Sequence, residues 1–113
     1  MEESILKTIK KLLGGSDPSM DYFDVDIITH INTVFSILKQ LGVGPKEGFK
    51  IEDDNEVWSD FLDDNTNLED VKTYIYLKVR MIFDPPATNV AEAFNKTISE
   101  LEWRLNVEVD PDE

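Results

Sequence analysis

Cysteine is absent from this 113-residue chain, and histidine occurs once, as His30. Without cysteine the chain has no disulfide, no thiolate metal ligand and no cysteine nucleophile. A single histidine excludes any site that needs two imidazole ligands. No stretch approaches the ~18 consecutive apolar residues of a membrane-spanning helix, and the sequence does not begin with an apolar signal-peptide segment. We therefore expect no membrane segment and an intracellular protein.

Positive charge is also scarce. The chain has 24 Asp and Glu residues against 11 Lys and Arg, a formal net charge of −13 at pH 7. Nucleic acids and anionic lipid headgroups repel a chain of this charge. Hydrophobic residues make up 41%, which is enough for a folded core. Length and composition predict a single domain over residues 1–113, with a flexible tail from about residue 106.

Four segments have the apolar spacing of amphipathic helices. In chain order they are about 5–13, Asp24–Leu41, Asn67 to Pro85-Pro86, and Thr88 or Asn89 to Leu105. Glycines follow the first two segments, as expected after a helix, and a proline pair ends the third abruptly. Because the third segment is apolar on nearly all faces, we predict that it is the central helix.

Residues 43–66 form an irregular insertion between the second and third helices. Phe49-Lys50-Ile51 alternates like a very short strand, an acidic run follows, and Val57–Leu62 suits a turn or two of helix. Val107-Glu108-Val109, near the C-terminus, alternates in the same strand-like way. The predicted fold class is all-α: a small bundle of about four helices with a short β element and an acidic loop between helices two and three.

The acidic run invites comparison with a calcium-binding EF-hand loop. A loop that began at Asp53 would place Val57, Trp58 and Asp64 at positions 5, 6 and 12, where a ligand, a glycine and a glutamate are needed. The pattern fails at the residues that shape such a loop. We therefore expect a solvated acidic loop and no metal site.

The sequence shows no arrangement of residues typical of catalysis. His30 lies at the rim of an apolar stripe without a serine motif beside it, and no glycine-rich phosphate loop is present. Carboxylate pairs arise by chance among so many acids, so they indicate nothing specific. We predict no catalytic residue, no cofactor and no enzyme activity. A small hydrolase stays open as an alternative, disfavoured by the lack of a nucleophile–base pair.

The aromatic residues indicate an interaction protein. They lack the interleaved basic residues of a nucleic-acid stacking platform, so most are expected in the core. Trp103 and one of Tyr74 and Tyr76 exceed what a single helix face buries. Large aromatics left over after a core is filled often lie at protein interfaces.

Five segments, taken in order, resemble a known family. They are Asp26–Asn32, Gln40–Pro45, Trp58–Leu62, Val71–Pro86 and Ile98–Val107. The most specific feature is the order of a tyrosine-rich helix, Asp-Pro-Pro and Glu-Trp-Arg-Leu. In these segments the chain is similar to the small head–tail connector proteins of long-tailed bacteriophages, also called adaptor or head-completion proteins.

The resemblance implies a structural role in the virion. Members of this family form a ring, typically twelve-fold, beneath the portal protein at the capsid vertex. The ring extends the DNA channel and provides the surface on which a stopper or tail-completion protein assembles. DNA passes through without specific binding, and no enzyme activity, cofactor or membrane is involved. The implied location is the head–tail interface of the virion, and the host cytoplasm during assembly.

Specific residues are candidates for these roles. The interface candidates are Trp103, Tyr74, Tyr76, Val107 and Val109, and the acidic candidates for the channel or a docking partner are Glu52, Asp53, Asp54 and Glu56. We expect the segment after Leu105 to dock on the portal, with its valines adding a strand to a neighbouring sheet edge.

The main alternative is an acidic inhibitor that mimics DNA and binds a host nucleic-acid enzyme. The net charge favours it, but the acids cluster in loops and not along one continuous helix face. Salt distinguishes the two functions, because binding by charge mimicry weakens steeply with salt and apolar assembly does not.

Overall fold

The computed structural model describes residues 4–14, 22–62, 68–83 and 85–109, with residues 107–109 described by their backbone alone. This part of the chain forms five helices: α1 (Ile5–Leu12), α2 (Asp24–Gln40), α3 (Trp58–Phe61), α4 (Leu68–Phe83) and α5 (Thr88–Val109). The all-α prediction is confirmed. The four main helices begin and end close to the predicted residues, and α3 is the predicted short helix after the acidic loop.

Helix α4 is central, as its apolar faces predict. It packs on α1, on α2 and on α5, and α1 and α2 also pack on each other. The ring of Phe23, just before α2, lies 5.3 Å from the ring of Phe83 at the end of α4, so these two helices run antiparallel. Helix α5 packs mainly on α4. Helix α4 therefore contacts α1, α2 and α5, and the end of α5 also reaches the end of α2, where the Asn106 Nδ2 donates to the Leu41 carbonyl.

One core includes residues from all five helices, and Val43 and Ile51 add to it from the loop. Helix α3 is attached to α1 through its buried tryptophan. The Trp58 Nε1–H donates to Thr8 Oγ1 at 3.0 Å, and the Thr8 hydroxyl donates to the Ser4 carbonyl at 2.8 Å. Because the indole N–H and the Thr8 hydroxyl both have acceptors, the tryptophan is held without an unsatisfied polar group.

The predicted short β element is wrong for this part of the chain. Its described residues contain an isolated bridge between Ser4 and Val57, and Phe49–Ile51 is not a strand. The side chain of Asn32 explains this. Its Nδ2 donates to the Ile51 carbonyl at 2.9 Å, and its Oδ1 accepts from the Ile51 N–H at 2.7 Å. A side-chain amide thus satisfies the backbone groups that a neighbouring strand would otherwise pair.

The C-terminal strand is also wrong, because α5 continues as helix through Val109. The tail predicted from about residue 106 is therefore helical as far as Val109, and residues 110–113 lie outside the described residues. Two contacts support the last turns of the helix. Leu105 is fully buried, and the Asn106 Nδ2 donates to the Leu41 carbonyl at 3.2 Å.

Candidate interaction surfaces

Trp103 lies on the outer face of α5, with 68% of its surface exposed. The residues on either side of it contact α4: Glu102 accepts a hydrogen bond from Tyr74, and Arg104 Nη2 lies 3.3 Å from the Asp70 carboxylate. Because its neighbours face α4, Trp103 faces away from the core. It is the most exposed large apolar side chain described in α5, which fits the predicted interface role.

Tyr74 and Tyr76 lie in different environments. Tyr74 is fully buried, and its hydroxyl donates to Glu102 Oε2 at 2.7 Å. Burial raises the pKa of Tyr74 well above its ordinary value, and the hydrogen bond and negative charge of Glu102 raise it further. Tyr74 is therefore a core residue with no exposed interface area. Tyr76 is half-buried, and its hydroxyl accepts from Arg80 Nη1 at 3.1 Å, so it remains the interface candidate of the pair.

The acidic loop has a defined shape of its own. The Glu56 carboxylate accepts from the Glu52 N–H at 3.0 Å and from the Asp53 N–H at 3.5 Å. The Asp53 carboxylate accepts from the backbone N–H and the side-chain amide of Asn55, at 2.8 and 3.1 Å. These bonds within the loop fix the carboxylates, as Asx turns do.

The same loop is attached to the start of α1. The Ile5 N–H donates to the Glu56 carbonyl at 3.0 Å, and Lys7 Nζ lies 3.7 Å from the Asp54 carboxylate. Glu52, Asp53 and Asp54 are exposed, whereas Glu56 is half-buried. The loop therefore presents three carboxylates to solvent on a rigid support.

The two most exposed large apolar residues that the structure describes did not figure among the predicted site residues. Tyr22 and Val25, at the start of α2, are 86% and 75% exposed. Tyr22 precedes α2 by two residues, and Val25 lies in the first turn of the helix, away from its buried residues. A helical projection of α2 would have found Val25, because it lies outside the stripe of buried residues, next to the exposed Asp26. Val107 and Val109 lie in the last turn of α5, where side-chain positions are not described.

Across residues 4–14, 22–62, 68–83 and 85–109, no three His, Cys, Asp or Glu side chains are grouped so as to hold a metal ion. No helix in this part of the chain is long and apolar enough to cross a membrane.

The sequence matches one protein family over nearly its whole length. The family model described as "Phage connector protein" matches residues 5–112, a range that begins with α1 and extends beyond the end of α5. No curated protein and no solved structure matches the chain. The match includes every helix of the core and both exposed aromatic positions described above. The resemblance to phage connectors is thus confirmed, and the chain belongs to the phage connector protein family.

Proposed function

We propose that this chain is a structural virion protein that forms a ring beneath the portal of a long-tailed phage and joins the head to the tail. The observation that carries the proposal is the family match over residues 5–112. The match favours this role over a DNA-mimic inhibitor. In this role the chain makes no covalent bond and needs no cofactor, and its location is the head–tail interface, reached from the host cytoplasm during assembly.

The exposed aromatic surface supports assembly into a ring. A closed ring of identical subunits, twelve in the proposed assembly, uses head-to-tail contacts in which two different surfaces of each chain meet. Such contacts depend on a few large side chains that become buried, among which tryptophan, tyrosine and arginine are enriched. Trp103 on α5 is a side chain of this kind, and Tyr76 adds a second, half-buried aromatic.

The acidic loop supports a role in the channel or in docking. Glu52, Asp53 and Asp54 are exposed and, with Glu56, lie on a loop with its own hydrogen bonds. Carboxylates facing the lumen would offer DNA phosphates no cationic partner, so DNA would pass without binding. We propose that these four residues face the channel or a stopper protein.

The segment after Leu105 is the proposed portal contact. As far as Val109, this segment is the C-terminal end of helix α5. A chain that ends after Asn106 would keep the bond from Asn106 to the Leu41 carbonyl and the buried Leu105. We expect this truncated chain to fold and to lose portal attachment, measured by co-sedimentation with purified portal protein. Normal attachment by the truncated chain would reject this portal contact.

Genetic complementation tests the function as a whole. A phage that lacks this gene should produce DNA-filled heads and separate tails, and the wild-type gene supplied in trans should restore joined particles. Trp103→Ala should restore few, because it removes a side chain that becomes buried at the interface. Thr97→Ala, exposed on a different side of α5, is the matched control and should restore particles normally.

Both variants should retain the stability of the wild type, because each side chain is exposed and surface substitutions usually change stability by less than about 0.5 kcal/mol. Circular dichroism and thermal unfolding check this point. Joined, infectious particles without the gene product would contradict the proposed function.

A further inference from the structure

The turn between Pro45 and Gly48 brings three lysines together. The Gly48 N–H donates to the Pro45 carbonyl at 3.0 Å and closes the turn, with Lys46 inside it. Lys50 follows two residues after Gly48. The side chain of Lys39 passes the same glycine, because a Cβ added to Gly48 would lie 3.5 Å from Lys39 Cδ and 3.9 Å from Lys39 Nζ. Lys39, Lys46 and Lys50 are all exposed, and they are called here the basic turn.

The basic turn differs in charge from the chain as a whole. Residues 39–50 contain these three lysines and one acid, the exposed Glu47, so the segment has a net positive charge. The whole chain has a net charge of −13. Lys39 lies in the last turn of α2, where the helix dipole favours a cation. Lys46 and Lys50 lie outside the helices, so the dipole does not account for them.

The three lysines also lack the partners that other basic residues have. Basic residues are concentrated in α1 and in α4 as well, and there each of them has a contact within the chain. They are Lys7, Lys10 and Lys11 of α1, and Lys72, Lys78 and Arg80 of α4. In contrast, no lysine of the basic turn forms an ion pair with another described residue. The charges of the basic turn are therefore available to a partner.

The end of α5 lies beside the basic turn. The Asn106 Nδ2 donates to the Leu41 carbonyl at 3.2 Å, and Leu41 is two residues after Lys39. The segment after Leu105, which is the proposed portal contact, begins at this hydrogen bond. A partner that covers the last turn of α5 therefore also approaches the basic turn.

The charges indicate the chemistry of that partner. An acidic chain favours basic partners over most of its surface, whereas three lysines favour carboxylates or phosphates. DNA would supply phosphates, but the exposed Glu52, Asp53 and Asp54 follow closely after Lys50 and repel a long polyanion. A short acidic segment of a protein can contact the lysines without covering that loop. The basic turn therefore fits a protein segment with carboxylates better than it fits a nucleic acid.

We propose that the basic turn binds an acidic segment of the portal protein, next to the end of α5. This inference rests on the proposed function, because it states which chemistry the portal offers at the proposed contact. Exposed charges at the rim of a contact mainly raise the rate of docking and select its orientation. The tests therefore identify the groups in contact and measure the rate of association.

Cross-linking with a carbodiimide identifies the groups in contact. This reagent joins a lysine amine to a neighbouring carboxylate as an amide and is itself converted to a urea, so no spacer remains. We would treat the full-length chain bound to purified portal protein, and locate the amides by mass spectrometry. Lys96 is the control, because it is also exposed, forms no ion pair with a described residue and lies about 15 Å from Asn106 along α5. The expected result is amides between the basic turn and portal carboxylates, at several times the yield from Lys96.

A matched pair of charge variants gives the second test. Lys46→Glu and Lys96→Glu change the net charge of the chain equally. Lys46→Glu should lower the association rate constant for portal protein by roughly three- to tenfold at low salt, whereas Lys96→Glu should leave it nearly unchanged. Lys46→Arg keeps the charge and should keep the rate. Raising the ionic strength should bring the rates of the wild type and Lys46→Glu together, because salt screens exposed charges.

Other results would overturn the inference. Amides from the basic turn to a second copy, or to acids of the same chain, in place of the portal would name a different partner. A labelled DNA duplex that binds the wild type but not Lys46→Glu would show that the lysines bind phosphates. If the wild type attaches to the portal but neither test distinguishes the basic turn from Lys96, the inference fails and the proposed function stands. If the wild type does not attach to the portal at all, the proposed function fails and the inference fails with it.

Discussion

Replacing Gly44 by alanine tests how the irregular loop packs on the aromatic cluster. Gly44 has a φ of +90°, and an added Cβ would lie 2.4 Å from Cε1 and 2.8 Å from Cζ of Phe61. The Phe61 ring has little room to move, because its centroid lies 4.6 Å from that of Phe35 and 5.3 Å from that of Phe49. The substitution therefore combines backbone strain with a steric overlap in the core.

The two contributions are separable. A left-handed backbone conformation costs a residue with a Cβ roughly 1–2 kcal/mol. Overpacking a core costs about 1–3 kcal/mol more. Gly14 supplies the control, because its φ is +101° and nothing lies within 4 Å of an added Cβ. We expect Gly14→Ala to lower the free energy of unfolding by the first amount alone, and Gly44→Ala to lower it by roughly 2–5 kcal/mol.

Urea denaturation followed by tryptophan fluorescence measures both losses. The assay uses a Trp103→Phe background, so that the buried Trp58 is the only emitter. If the steric overlap is real, adding Phe61→Leu to Gly44→Ala should cost less than the sum of the two single changes. Equal losses for Gly14→Ala and Gly44→Ala would refute the packing of this loop on Phe61.

Two further predictions concern hydrogen bonds. Asn32→Ala leaves the buried Ile51 N–H and C=O without their side-chain partners, so we expect a loss of roughly 1–3 kcal/mol and faster hydrogen exchange at the Ile51 amide. An unchanged exchange rate would show that this amide does not hold the loop. Burial raises the pKa of Tyr74 in the folded chain well above its ordinary value of 10.0. The hydroxyl of the folded chain therefore stays protonated at pH values at which the unfolded chain ionises. The free energy of unfolding should therefore fall as pH rises above about 10, and Tyr74→Phe should make this fall shallower; the same pH profile in both chains would contradict the buried hydrogen bond to Glu102.

Most of the helices were predictable because their signals are local. Apolar spacing, the glycine after α2 and the Pro85-Pro86 pair set bounds that the structure keeps within a few residues. The apolar character of α4 on nearly all faces also predicted its central position. The same property concealed which of Tyr74 and Tyr76 is buried, since either fits a helix that has neighbours on several sides.

The two predicted β segments failed because short alternating patterns do not distinguish strand from other backbone. At Ile51 the deciding partner is Asn32, which lies 19 residues earlier and whose side chain takes the place of a strand. At Val107–Val109 the deciding factor is the helix already begun at Thr88, whose residues Ile98, Leu101 and Leu105 are buried. Continuing an existing helix adds a hydrogen bond per residue, whereas a new strand needs a partner.

The sequence by itself excluded disulfides, thiolate metal ligands and two-histidine sites, predicted the helices and indicated the family of this protein. Each of these depends on residue identity or on spacing within one segment. Only the tertiary structure decided which surfaces remain free. The surface around Trp103 on α5 and that around Tyr22 and Val25 near the start of α2 stay exposed after the helices have packed on α4. Their relative placement depends on contacts between residues far apart in the chain, such as Phe23 with Phe83 and Tyr74 with Glu102. No pattern within a single helix contains that information.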